Sequence, residues 1–218
     1  MPDKNAPTLA ARSPGESRWP AILALLAVGA LNALLPEEIS PGPYWLVLAI
    51  VSILLIPIII SHQRGRIWLN SVLAHVVLAI VTSSMIASLV LLIMGLPSKR
   101  DSPLTLLRAA GALWVANVLV FASWYWRLDA GGPNLRDTRT NHTDGAFLFP
   151  QMTMSGKQAR NWSPGFVDYL FLAFNTSTAF SPTDVPVLSR WAKLMMIVQA
   201  SISLTTVALI AARAVNIL

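Results

Sequence analysis

Long apolar runs alternate with short polar turns along this chain. The runs cover residues 19–35, 44–61, 67–96 and 104–126, and a last one begins between Pro186 and Trp191 and continues almost to Leu218. A bilayer core of roughly 30 Å takes about 20 apolar residues in helix, so these runs predict transmembrane helices. The turns "PEEISPGP", "HQRGR" and "PSKRDSP" carry the prolines, glycines and charges that end them. Pro57 predicts a kink near the end of the second run. The third run exceeds the bilayer thickness and predicts tilt or extension into water. The first run is open to two readings. It is a signal peptide, with Arg18 before it and "AVG" as a cleavage site, or a retained span. The membrane character of the rest of the chain favours the span. Ten-residue alternating segments, the mark of a membrane β-barrel, are missing from the pattern.

One apolar stretch does not fit the series. "SPGFVDYLFLAFNTSTAFSPTDVP" runs over residues 163–186. Ser163 and Pro164 supply a hydroxyl N-cap and a proline at the first helical position. Residues 166–180 are apolar with little interruption, and at 1.5 Å each they reach roughly 22 Å, short of the bilayer core. Two prolines in "SPTDVP" then stop the helix. The simplest geometry is a half-helix that enters, turns inside the protein and leaves on the same side. Irregular backbone at membrane depth survives only where protein buries it or water fills a cavity. A short full span and an interfacial helix are the alternatives. The expected fold class is therefore an all-α membrane protein with about five transmembrane helices plus one re-entrant half-helix before the last span. Its parts are a disordered tail over 1–18, four transmembrane helices over 19–126, a polar loop over 127–164, and the half-helix with the final span over 165–218.

The segments "WYWRLDAGGP", "FLFPQM", "DYL", "AFSPTD" and "ARAVNIL" resemble a family of uncharacterised bacterial integral membrane proteins, over residues 122–218. That likeness implies no known activity. "DYLFLAFNTSTAF", "TDVP" and "SRWAKLMMIVQ" also resemble the pore helix, filter exit and inner-helix start of potassium-channel-like proteins. This implies a filter-like group of Thr176, Thr178, Ser181, Thr183 and Asp184, in a homo-oligomer, with the tetramer as the form that would enclose a pore. The sequence departs from the pattern at the filter. Potassium filters use glycine-bearing loops whose carbonyls replace ion hydration, and "TAFSPTD" has no glycine and a φ-fixing Pro182. Potassium selectivity is rejected on that ground; hydroxyls of Ser181 and Thr183 and the Asp184 carboxylate would line or cap any pore, and an acidic ring favours cations.

Polar residues inside the runs carry two readings each. Gln199, Ser203 and Thr206 share a face of the last helix, with Arg213 continuing it. They are either a hydrated pore-lining stripe or helix–helix glue, and glue is favoured because Ser, Thr and Gln commonly bond between membrane helices. Asn117 is read the same way. Arg108 can snorkel to the interface, His75 has no titratable partner nearby in sequence, and Asp168 complements a helix N-terminus. "SPTD" at Ser181–Asp184 also fits a capping box.

Composition sharpens the class. Only 12% of residues are charged against 55% hydrophobic, where soluble domains carry about 25% charge. With no cysteine there are no disulfides and no thiolate metal sites or nucleophiles. The three histidines are scattered and no metalloprotease, serine-hydrolase or phosphate-loop motif is present, so neither an enzyme, a metal site nor a cofactor is expected. The net charge of +6 sits in the turns, where it sets topology and meets anionic lipid headgroups rather than nucleic acid. Ten Lys and Arg residues fall on the side of the N-terminus and the polar loop; Lys99, Arg100, Arg108 and Arg213 fall opposite, and Arg190 and Lys193 join the ten if the half-helix re-enters. Positive-inside logic places the N-terminus in the cytoplasm of a cell-membrane protein, whereas pore loops of channels face outward. The functional expectation is a pore-loop channel relative passing cations without selectivity. The alternatives are a non-conducting structural or accessory protein in which "FLFPQM" seals the half-helix, and a small-molecule transporter with its site near Asn117.

Overall fold

The computed structural model describes residues 16–95, 102–138, 145–154, 162–178 and 185–215. Within them the chain is helical, with one isolated antiparallel bridge between Phe147 and Val187. The main helices are α1 (Trp19–Ala33), α2 (Leu46–Gln63), α3 (Ile67–Gly95) and α4 (Pro103–Leu128). After a 3-10 turn (Asp129–Gly131) come two single-turn helices, α5 (Pro133–Arg136) and α6 (Pro150–Thr153), then α7 (Phe166–Thr178) and α8 (Arg190–Val215).

Four helices, α2, α3, α4 and α8, are long and apolar enough to cross a membrane. α1 has 15 residues and α7 has 13, and both are apolar. The predicted helix limits hold to within a few residues. Differences follow local chemistry. α4 starts one residue early because the Ser102 hydroxyl accepts from the Thr105 N–H at 3.2 Å, with Pro103 at the first helical position. α7 starts later than Ser163-Pro164 suggests. Its first turn is fixed instead by Asp168, whose Oδ2 accepts the Gly165 N–H at 2.8 Å, the reciprocal half of a capping box.

α4 is the axis of the bundle. α1, α3, α7 and α8 all pack on it, while α2 packs on α1 and α3. Its buried face carries Ala109, Ala110, Ala116 and Ala122, and small side chains let membrane helices approach closely. Gly29 does the same between α1 and α2: a Cβ there would stand 3.0 Å from Leu48 Cα. Large apolar side chains point outward, as they do where lipid is the solvent. Exposed aromatics cluster at both ends of the bundle, Trp19 and Trp68 at one and Tyr44 and Trp45 at the other, where interfacial rings belong.

α7 and α8 run in the same direction. Both are antiparallel to α4: Trp126 near the end of α4 meets Phe166 at the start of α7, and Trp114, higher up α4, meets Phe174 of α7 and Ser203 of α8. Thirteen helical residues rise roughly 20 Å, so the end of α7 and the start of α8 lie at different heights along α4.

Candidate functional site

The seam where α4, α7 and α8 meet is polar, and Gln199 is its hub. Its side chain is fully buried. Nε2 donates to the Ala173 carbonyl at 2.7 Å and to Ser177 Oγ at 2.9 Å, and Oε1 accepts from the Tyr125 hydroxyl at 2.6 Å. The Gln199 carbonyl accepts from Asn117 Nδ2 at 3.2 Å. One turn further, the Ser203 hydroxyl donates to the Ser177 carbonyl at 2.6 Å and accepts from Trp114 Nε1 at 2.9 Å. Thr206 is buried on the same face and bonds within its own helix, to the Ile202 and Ser203 carbonyls. The last turn of a helix leaves carbonyls without intrahelical partners. Ser177 lies in that last turn and its carbonyl receives the Ser203 hydroxyl, whereas the Ala173 carbonyl, one turn earlier, takes Gln199 Nε2 as an additional donor.

The expected residues thus separate. Asn117, Gln199, Ser203 and Thr206 come together in the interior of one protomer, each fully buried. Thr176 is buried and bonds back to the Leu172 carbonyl, while Thr178 is exposed and bonds back to Phe174. Ser181, Thr183 and Asp184 lie outside the described residues, as does the Arg213 side chain. His75 is held by the Ser71 carbonyl at 2.7 Å beside the Trp124 ring, and Arg108 is exposed.

A second constellation closes the end of the bundle where α7 and α8 begin. It is built from the segment read as a polar loop, which folds back under α4. Ala130, Gly131 and Gly132 all have positive φ, at 51°, 79° and 90°, so the chain reverses within three residues. Gly132 has no substitute there, because a Cβ would lie 2.7 Å from the Arg127 carbonyl. The reversal buries Asp129 and Arg136. Arg136 Nη1 donates to the Trp126 and Asp129 carbonyls at 2.8 and 2.9 Å, capping the end of α4, and Nη2 pairs with Glu16 at 3.0 Å. Its guanidinium lies over the Tyr169 ring. The Asp129 carboxylate accepts from the Tyr169 hydroxyl at 2.6 Å and from the Ala146 N–H. Arg18 pairs with Asp137 and Glu16 and stacks on Trp126; burial holds it below the usual arginine range, against the pull of those two carboxylates. Burial likewise raises the Asp168 carboxyl, opposed by the Gly165 N–H and its own.

"FLFPQM" docks on this closure. Phe147 is fully buried among Tyr125, Tyr169 and Trp191, and Phe149 packs on Tyr169 and Trp162. The Leu148 N–H donates to the Pro186 carbonyl at 2.9 Å and the Leu188 N–H to the Ala146 carbonyl at 2.8 Å. The start of α8 is thereby stapled beside the start of α7. The sequence reading did not single out Asp129, Arg136, Tyr169 or Trp114, and Tyr125 of "WYW", which reads as an interfacial anchor, is fully buried instead. The isolated charge pair in "LDAGGPNLR" was the available signal for the first two. No group of His, Asp or Glu that could hold a metal occurs among the described residues.

No protein-family model matches the chain, and no curated protein or solved structure matches it either.

Proposed function

We propose that this chain is a non-conducting multi-pass membrane protein in which the half-helix α7 is a structural strut, and that it serves as a scaffold or accessory subunit within the bilayer. In this reading α1 is a fifth span and α7 enters and leaves on the side of the N-terminus, which faces the cytoplasm. The parallel course of α7 and α8 and the pairing of residues 146–148 with 186–188 support the re-entrant path. The observation that carries the non-conducting reading is the inward face of α8. Gln199 and Ser203 are spent on α4 and α7 of the same protomer, with Gln199 bonded on both ends of its amide, and Thr206 bonds back to carbonyls of its own helix. The outward face presents Leu194, Ile197 and Leu204, all well exposed, with Ser201 between them bonded back to the Ile197 carbonyl. A pore lined by that face in an oligomer would be a largely apolar constriction, which disfavours ions by dewetting.

The rival reading is a pore-loop channel relative, and the arrangement of α7 beside α8 is what favours it. Purified protein in planar bilayers separates the two. The strut reading expects no current across mono- and divalent salts and both voltage polarities. Reproducible currents altered by Asp184→Asn would replace it with the channel.

A further inference from the structure

A cleft of about 330 Å³ opens between α1, α2, α3 and the end of α4, on the side where α7 begins. Its mouth is polar, with Glu16, Arg18, His62, Asn70 and Arg127, and its floor is apolar, with Ile22, Leu25, Leu55 and Ala74. The volume falls in the lower part of the range used by small-molecule sites. The gradient from polar to apolar runs along the bundle, in the direction a lipid lies.

The charge balance at the mouth is unequal. Every described carboxylate nearby is already engaged. Glu16 holds Arg18 and Arg136, Asp137 holds Arg18, and Asp129 takes the Tyr169 hydroxyl and the Ala146 N–H. Arg127 is 6% exposed and forms no ion pair among the described residues. Its single hydrogen bond there runs from Nη2 to Asn70 Oδ1 at 3.1 Å. Asn70 is itself fixed, accepting from Asn134 and donating to the Ile58 carbonyl, so it aims the guanidinium rather than neutralising it. A buried guanidinium is costly unless an anion meets it, and its planar donors match a phosphate in bidentate geometry.

We infer that this cleft is a binding site for an anionic phospholipid, with the headgroup phosphate on Arg127 and Arg18 and an acyl chain along Ile22, Leu25, Leu55 and Ala74. A zwitterionic headgroup would bring a second cation to a mouth that already holds one without a counter-ion. The site is independent of whether α7 conducts.

The test uses the full-length protein in neutral detergent, titrated separately with phosphatidylglycerol, phosphatidylcholine and inorganic phosphate. Bound lipid is read by native mass spectrometry and thermal unfolding is read in parallel. Phosphatidylglycerol should be retained at least ten-fold better than phosphatidylcholine and should raise the unfolding temperature, with no comparable shift from phosphate. Arg127→Met and Ala74→Phe, the second filling the floor without touching charge, should each lower retention at least ten-fold. Arg64→Gln, in the exposed α2–α3 turn, should leave it unchanged. Equal retention of the two lipids overturns the inference. So does retention that survives both cleft variants. An equal shift from inorganic phosphate would make it a small-anion site and overturn the lipid assignment. Should Arg127→Met not fold, Ala74→Phe decides by itself.

Discussion

Gln199 of α8 donates to the main-chain carbonyl of Ala173 in α7 at 2.7 Å, across 26 residues of sequence. That contact ties a 13-residue helix to one long and apolar enough to cross a membrane. The Ala173 carbonyl takes this added donor from a neighbouring helix.

Gln199→Leu should remove both of these donations and orphan the Tyr125 hydroxyl, with a loss of about 1–3 kcal/mol for the groups left unpaired. Ser203→Ala removes two interhelical bonds, to the Ser177 carbonyl and from Trp114, at about 0.6–1.7 kcal/mol for each. Reversible unfolding in mixed micelles measures both. Equal stability of Gln199→Leu and the parent would mean the seam is hydrated.

Tyr169→Phe should lose the bond to Asp129, about 1.5–3 kcal/mol for a hydrogen bond to a charged acceptor. In a double-mutant cycle with Asp129→Ala the two changes should be strongly non-additive, because they remove one interaction. Additive losses would show that the hydroxyl and carboxylate act separately.

Gly132→Ala meets the Arg127 carbonyl and also takes a backbone at φ 90°, ψ 173°, a region essentially confined to glycine that costs about 1–3 kcal/mol for a side chain. Gly65 has φ +65° but open space around it, so Gly65→Ala should show the backbone cost alone. Expression level and unfolding midpoint should rank parent, Gly65→Ala, Gly132→Ala in descending order.

Phe147→Ala should cost about 3–5 kcal/mol, the penalty of a large buried aromatic truncated in a packed core, and should loosen α8 from α7. Proteolysis between residues 178 and 190 should speed up in this variant.

The chain has no cysteine, so single-cysteine labelling reads topology directly. Leu135→Cys and Leu188→Cys, both at exposed positions, should react with a membrane-impermeant maleimide from the same face, and Ser102→Cys from the opposite one. Labelling of Leu135→Cys and Leu188→Cys from different faces would mean that α7 crosses.

The spans were legible because lipid demands long apolar runs, and those runs are visible one residue at a time. The short length of α7 and its two terminal prolines were legible for the same reason. The shared face of Gln199 and Ser203 was legible from their spacing, and on it both bond to α4 and α7. What the sequence concealed is pairing at a distance. Asp129 and Tyr169 are 40 residues apart, and nothing local in "LDAGGP" says that its aspartate turns inward rather than toward water. Arg127 stands at the start of the polar loop in the sequence, yet it is buried and bonds to Asn70, 57 residues earlier.

The pairing of residues 146–148 with 186–188 also has a consequence for the order in which the protein is made. The first partner is synthesised some forty residues ahead of the second, so a receiving edge is already in place under α4 when the final hydrophobic segment emerges from the ribosome. A nascent chain stopped before Pro186 would present that edge bare, and such a fragment would be a natural client for membrane quality control.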